Sequence, residues 1–475
     1  MREIFLSLLI LLCANIALYA QQDAFPENDP AIVQRIDEWR DLKFGFMMHW
    51  GPYSQWNIVE SWSICPEDEE WCVQDRKGED YYSYLQRYEK LPERFNPTRF
   101  DPEKWAEAAW NAGMRYMVFT TKHHDGFCMF DTEETEYKIT GKDCAFAQNE
   151  KANIAKEIFN AFREKGFWTG AYFSKPDWHS EYYWSPIWTA ADRNVNYDPQ
   201  KYPNLWQKFC DFTYNQIEEL MTGYGKMDIL WLDGGWVRPE WSLDEETRPW
   251  IGCRGFIQDI DMPKIAKMAR SRQPGLLVVD RTVHGKYENY QTPEQKVPDN
   301  VLDFPWETCM SMATSWSYVE KDQYKSTNQL IHLLIDIVAK GGNFLLNVGP
   351  SPEGTLHDEA FARMEEIGKW MNINGKSIYN SRPVAPYKSQ NVCFTQLKEG
   401  NIFAIYLADE METKMPEYIE IPDQFDRKIK SATLLGSNKK LSVVKVGENY
   451  RIAVPEALRN APPCEHAWVF DLGKK

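Results

Sequence analysis

Between about residues 42 and 350, short apolar runs alternate with stretches in which apolar residues recur at helical spacing. That is the pattern of strand–helix units that assemble a parallel sheet. It predicts strands at 42–49, 116–121, 167–173, 228–233, 276–280 and 343–348, with a further candidate carrying Trp306-Glu307-Thr308. Helix signals lie between them. Asp101-Pro102 offers an N-cap and a proline at the first helical position, Trp105, Ala108, Ala109 and Ala112 share one face, and Gly113 closes the helix. Segments 158–165 and 330–340 end at Gly166 and Gly341-Gly342 in the same way. Beyond about Tyr379 the pattern shifts to short alternating segments at 402–407, 432–434, 450–454 and 467–470, broken by charged turns, which read as antiparallel strands. The expected fold is an α/β (β/α)8-like barrel over 21–380, followed by a C-terminal antiparallel β-sandwich domain over 381–475.

The N-terminus departs from this rhythm. Residues 1–20 read as a signal peptide, with Met1-Arg2 as a positive start, an apolar run over 4–12 and Ala20 before Gln21-Gln22. The run is too short to span a bilayer. The expectation is therefore an exported chain, periplasmic or extracellular (lysosomal in a eukaryote), with no membrane partner. Ten cysteines are scattered along the chain, which excludes a zinc ribbon or a disulfide scaffold. Cys65 and Cys72 are close enough to bridge in an oxidising compartment, buried free thiols being the alternative.

Charge narrows the substrate class. The formal net charge is -16, with no Lys/Arg cluster, so a nucleic-acid partner is excluded and neutral substrates are favoured. An oligomer is compatible with this composition. The 20 Trp, 24 Tyr and 24 Phe mostly fill a large core, yet several stand in polar surroundings, as in Trp50-Gly51-Pro52-Tyr53 and Glu181-Tyr182-Tyr183-Trp184. The C–H faces of sugars stack on such rings, so a Trp/Tyr-lined cleft points to carbohydrate.

In a barrel the C-terminal ends of the strands face the active site. Those ends carry His49-Trp50-Gly51, Lys122-His123-His124-Asp125-Gly126-Phe127, Tyr172 with Asp177-Trp178-His179 beyond it, Trp231-Leu232-Asp233-Gly234-Gly235-Trp236, Asp280-Arg281 and Trp306-Glu307-Thr308. Adjacent histidines on one strand point to opposite sides, so His123 and His124 are not expected to share an ion. No His-x-His or His-Glu-x-x-His occurs either. Metal ligation, burial and hydrogen bonding to a polyhydroxylated ligand compete for the pair, and the last suits two neutral imidazoles. Asp233 ends an apolar strand before two glycines that permit close approach of a ligand, the alternative being a cap on the next helix. Glycosidic cleavage needs two carboxyl groups.

Several stretches resemble the α-L-fucosidases of glycoside hydrolase family 29. They are Phe44-Gly45-Phe46-Met47-Met48-His49-Trp50-Gly51-Pro52-Tyr53-Ser54, Thr121-Lys122-His123-His124-Asp125-Gly126-Phe127, Trp231-Leu232-Asp233-Gly234, Trp306-Glu307-Thr308, and the run from Lys340 to Pro350. They occur in order across the whole barrel region. The resemblance implies a retaining exo-α-L-fucosidase acting on terminal fucose of oligosaccharides or glycoconjugates, with Asp233 as nucleophile. It implies that His49, His123 and His124 hold hydroxyls while Tyr172, Trp231 and Arg281 line the pocket. Glu60 and Trp62 look like the family's Glu-Trp sugar contact, here separated by Ser61. Two acid/base candidates follow Arg281. Glu294, in Thr292-Pro293-Glu294, resembles the family's acid/base region better than Glu288 does. Fucose carries a methyl group at C6, and Trp316 is the candidate apolar wall for it. No cofactor or metal is implied. The alternatives are an α-L-galactosidase of the same fold, an inactive glycan-binding barrel and a metal-dependent hydrolase.

Overall fold

The structure, a computed structural model, describes residues 27–66, 76–243, 245, 247–248, 256–425, 428–437 and 439–474. The expected signal peptide and Cys72 lie outside the described residues.

Seven strands form a parallel sheet in the order β5-β4-β3-β2-β1-β7-β6. They are β1 Phe44–Met48, β2 Tyr116–Lys122, β3 Trp168–Ser174, β4 Ile229–Asp233, β5 Leu277–Asp280, β6 Glu307–Ser311 and β7 Asn343–Val348. Period-two alternation divides each strand between two cores. Phe46, Phe119, Phe173, Leu232 and Leu346 pack outward against the helices. Met47, Val118, Tyr172, Trp231, Val279 and Leu345 fill the barrel. Because both faces are buried, most of these strands read in sequence as apolar runs, β6, which opens on Glu307-Thr308, being the exception.

The surrounding helices are α1 Pro30–Leu42, α2 Tyr81–Glu89, α3 Pro102–Asn111, α4 Ile154–Lys165, α5 Pro203–Gly223, α6 Met262–Arg272, α7 Thr327–Ala339 and α8 Asp358–Asn374. In α3 the Asp101 carboxylate accepts from the Lys104 amide at 3.0 Å and Pro102 opens the first turn, as the sequence predicts. The predicted strand at 42–49 starts later, at Phe44, because Leu42 still belongs to α1. Helix α1 plugs the bottom of the barrel. Its Trp39 stacks on Tyr290 at 3.9 Å, and its backbone carbonyl accepts from Asn343 Nδ2 at 2.8 Å.

The eighth position of the barrel is irregular. Between β5 and β6 the chain makes isolated bridges from Glu288 to Val279, from Gln291 to Trp306 and from Glu294 to Cys309. The Asn289 amide donates to Val278 O at 3.0 Å and the Glu307 amide to Gln291 O at 2.8 Å. Segment 288–295 thus closes the seam without being a regular strand. Just inside it, the fully buried Glu307 accepts from Tyr116 Oη at 2.7 Å and from Trp231 Nε1 at 3.2 Å. Burial pushes its carboxyl up to about 7 despite those two donors.

The second sheet begins at Ser381 and is antiparallel throughout, eight strands in the order β11-β14-β13-β12-β15-β10-β9-β8. These are β8 Ser381–Ser389, β9 Val392–Leu397, β10 Asn401–Leu407, β11 Tyr418–Pro422, β12 Ser431–Leu434, β13 Lys439–Val446, β14 Asn449–Ala453 and β15 Ala467–Lys474. The sheet curls until its two ends share one core, Phe394, Ile402 and Ala404 meeting Ile419, Ile421 and Ile452. That is the expected sandwich, closed nearly into a barrel. Cys393, Phe403 and Ile405 turn the other way and join the core of the first sheet. Across this junction Asn328 Nδ2 of α7 donates to Ala408 O, His332 Nε2 to His466 O and Trp370 Nε1 of α8 to Ala467 O, each at 2.9 Å.

Candidate active site

A cavity of about 240 Å³ opens at the C-terminal ends of the parallel strands. Asp233, the last residue of β4, lies at its base. Its Oδ1 accepts from Arg281 Nη1 at 2.9 Å and its Oδ2 from Tyr172 Oη at 2.8 Å. The Lys175 amide holds its carbonyl at 2.9 Å. Burial alone would raise the Asp233 carboxyl, but the Arg281 guanidinium and the Tyr172 hydroxyl outweigh it and hold the group ionised, below the usual carboxylate range. The helix-capping alternative does not apply, since the following helix α6 is capped by Asp261. The glycines also act differently from expectation. Gly234 has φ +86, and a Cβ there would lie 2.2 Å from Pro176 Cδ, so protein rather than ligand approaches it. Gly235 is the one that lines the cavity.

Arg281 carries a second carboxylate. Its Nη2 donates to Glu294 Oε2 at 2.5 Å, and Glu294 stands at the mouth with 44% of its side chain exposed. Glu288 does not reach the cavity. Its side chain is 4% exposed, with Oε1 accepting from the Thr282 amide at 2.9 Å and Oε2 paired with His284 Nδ1 at 2.9 Å. It fastens the turn that follows β5.

The histidines converge. Strand β2 ends at Lys122, so the strand alternation that would separate His123 from His124 has stopped before them. Both line the cavity, their ring centroids 4.3 Å apart. His49 joins them, its Nδ1 2.9 Å from Asn347 Oδ1. Burial lowers His49 and His124 to about 4 and His123 well below its ordinary value, so all three are neutral near pH 7. Ligand atoms of His123, His124 and Asp233 lie within 4.8 Å of one another, close enough for a metal ion. However, Asp233 Oδ1 already holds a guanidinium and His123 Nδ1 is bonded to Ser61 Oγ at 2.5 Å. The donor set is thus partly committed, and an added dication would face the Arg281 charge.

Glu60 and Trp62 both reach the cavity despite the residue between them. Glu60 Oε1 accepts from the Ser317 amide at 2.9 Å, which anchors the loop carrying Trp316. The Trp316 ring lies 5.0 Å from that of His49. Trp231 faces the cavity between Tyr172, stacked at 5.2 Å, and the Arg281 guanidinium, 4.8 Å from its ring. The residues given catalytic or binding roles from the sequence therefore meet in one place, Glu288 excepted, whereas the strand-end residues Asp125, Asp177, His179, Asp280 and Glu307 do not line the cavity.

The cavity also contains Met47, Arg193, Trp236, Thr282 and Cys309, which the sequence reading did not assign to it. Met47 and Cys309 lie two residues from His49 and Glu307, so strand periodicity would have found them. Trp236 sits in the quoted Asp233 stretch. Arg193, whose guanidinium lies 5.0 Å from the Trp62 ring and 5.4 Å from that of Trp236, arrives on a long irregular loop with no periodic signal.

The family model described as Alpha-L-fucosidase matches residues 11–376. The mouse tissue alpha-L-fucosidase is 28% identical over 462 residues, covering 92% of each chain. The solved structure of alpha-L-fucosidase isoenzyme 1 from Paenibacillus thiaminolyticus superposes with a TM-score of 0.73 at 28% identity, over 94% of this chain and 100% of that one. A Bacteroides thetaiotaomicron alpha-L-fucosidase of family GH29, a trapped covalent intermediate, has the same fold, with a TM-score of 0.72 at 24% identity over 95% and 97% of the two chains.

Proposed function

Because the chain belongs to the α-L-fucosidase family of glycoside hydrolases, we propose that it releases terminal α-L-fucose from glycans with retention, through a covalent enzyme intermediate on Asp233. The observation that carries the reading is Arg281, one guanidinium bonded to Asp233 at 2.9 Å and to Glu294 at 2.5 Å. One guanidinium holding both groups brings the two carboxyls that glycosidic cleavage needs to one side of the cavity, a span that accommodates the separation of about 5–5.5 Å of a retaining pair.

In the first step ionised Asp233 attacks the anomeric carbon while Glu294, protonated, gives its proton to the leaving oxygen. Ester formation removes the negative charge from Asp233. The Arg281 charge is then left to stabilise the Glu294 carboxylate, which accepts a proton from the attacking water. The partial exposure of Glu294 gives the leaving group and that water a route in and out. His49, His123 and His124, neutral and converging, hold the ring hydroxyls together with Glu60. Trp316, with Met47 and Cys309 in the same cavity, supplies the apolar surface for the C6 methyl.

The substrate is a fucosylated oligosaccharide or glycoconjugate. We propose as well that the chain is exported, a reading supported by the character of residues 1–20. None of the described helices is long and apolar enough to cross a membrane. Proton NMR of a nitrophenyl α-L-fucoside digest tests the reading: the α-anomer of fucose should form first. Initial release of the β-anomer would overturn retention, and faster cleavage of the L-galactoside would overturn the substrate. Activity unchanged in EDTA is the expected result for the metal question.

A further inference from the structure

The proton positions on two of the cavity histidines follow from groups one layer behind them. Asn347 Nδ2 donates to Trp316 O at 2.8 Å, which leaves Oδ1 as the atom facing His49 Nδ1 at 2.9 Å. The reverse amide orientation would set two acceptor oxygens against each other. An amide oxygen only accepts, so His49 carries its proton on Nδ1, and Nε2 is a bare lone pair.

Ser61 imposes the opposite state on His123. Its side chain is wholly buried, and among the described residues Oγ has one hydrogen-bond partner, His123 Nδ1 at 2.5 Å. A buried hydroxyl proton needs an acceptor, and that nitrogen is the one within reach. Donation from Ser61 Oγ places the imidazole proton on Nε2. Both rings are held neutral by burial, and they sit edge to face with centroids 5.7 Å apart.

We infer that Asn347 and Ser61 are positioning residues that lock His49 and His123 in opposite tautomers, so that the cavity wall presents an acceptor, His49 Nε2, beside a donor, His123 Nε2–H. A hydroxyl group satisfies both at once, whereas a group that only donates or only accepts satisfies one. The inference rests on the glycosidase reading for what the wall binds, but not for the tautomers themselves.

Selective 15N labelling of the 8 histidines, with His49→Gln and His123→Gln for assignment, tests it in the wild-type protein. His49 should show a protonated Nδ1 and His123 a protonated Nε2, both rings neutral at pH 7. A His49 proton on Nε2, or a His123 proton on Nδ1, would overturn the lock. Ser61→Ala should release His123 from its single form and lower kcat/KM on an aryl fucoside about two- to tenfold, chiefly through KM. Ser61→Thr, which keeps the hydroxyl, should restore the Nε2–H signal. An unchanged His123 tautomer in folded Ser61→Ala would show that Ser61 does not set it. Correct tautomers in a protein inactive on fucosides would refute the substrate reading alone, and wrong tautomers in an active enzyme would refute this inference alone.

Discussion

Asp233 is held by Arg281 and Tyr172 at its two oxygens, so its replacement removes an anion together with the acceptor of two buried donors. Asp233→Ala should abolish turnover in a protein that still folds but unfolds more easily, because Arg281 and Tyr172 lose a buried acceptor, and near-normal activity would take Asp233 out of the mechanism. The two glutamates after Arg281 should separate by leaving group. Glu294→Ala should slow natural fucosides far more than an aryl fucoside with an acidic phenol, with azide restoring turnover through an α-fucosyl azide. Glu288→Ala should lose activity alike on both and unfold more easily, by about 1–3 kcal/mol, because the Thr282 amide loses a buried acceptor; leaving-group dependence in that variant would reverse the assignment. Most of these side chains were legible because strand ends in a barrel announce themselves. What was not legible was orientation: two neighbouring histidines look divergent on a strand and converge once the strand has ended.

At the scale of elements, legibility followed burial. Strands β1 to β7 bury both faces and, β6 apart, read as apolar runs, whereas β8 carries Pro383 and Pro386 and gave no strand signal. Its place at the edge of the second sheet explains how it tolerates them. Helix α1 precedes the first strand and was hidden by the expectation that the barrel begins with β1, although Asp29 and Pro30 mark its start. Among the buried contacts between strands, Glu307 of β6 permits a sharp test. Its folded value near 7 lies above the ordinary 4.5, so the folded state binds the proton more tightly. Its contribution to stability is present at low pH and is lost as pH rises through about 7. Glu307→Gln abolishes that loss, so its stability relative to wild type should grow by on the order of 3 kcal/mol between about pH 4.5 and pH 8. Parallel urea titrations at both ends of that range measure it, and a constant difference would mean that Glu307 is already ionised in the fold. His49 and His124, lowered to about 4, act with the opposite sign and weaken the fold as pH falls from about 6.5 towards 4.

In the whole molecule the two sheets are not independent. Phe403 and Ile405 of β10 lie in the core of the first sheet while Ile402 and Ala404 lie in that of the second, so β10 serves two interiors at once. A chain cut after residue 380 should therefore bind a hydrophobic dye and precipitate or lose activity, rather than persist as a working barrel. Recovery of a soluble, fully active fragment would show that the second sheet is dispensable. The irregular seam between β5 and β6 has the opposite character. Elsewhere around the barrel, a change in chain length must be absorbed by a crossover that still delivers a parallel strand in register. At 288–295 isolated bridges replace the regular ladder, and buried side chains such as Tyr290, stacked on Trp39, hold the segment in place instead. The proposed acid/base, Glu294, stands on this irregular length of wall, while the proposed nucleophile, Asp233, is fixed at the end of a regular strand. With those roles, the leaving-group side of the site and the sugar pocket rest on different kinds of backbone, one irregular and one regular.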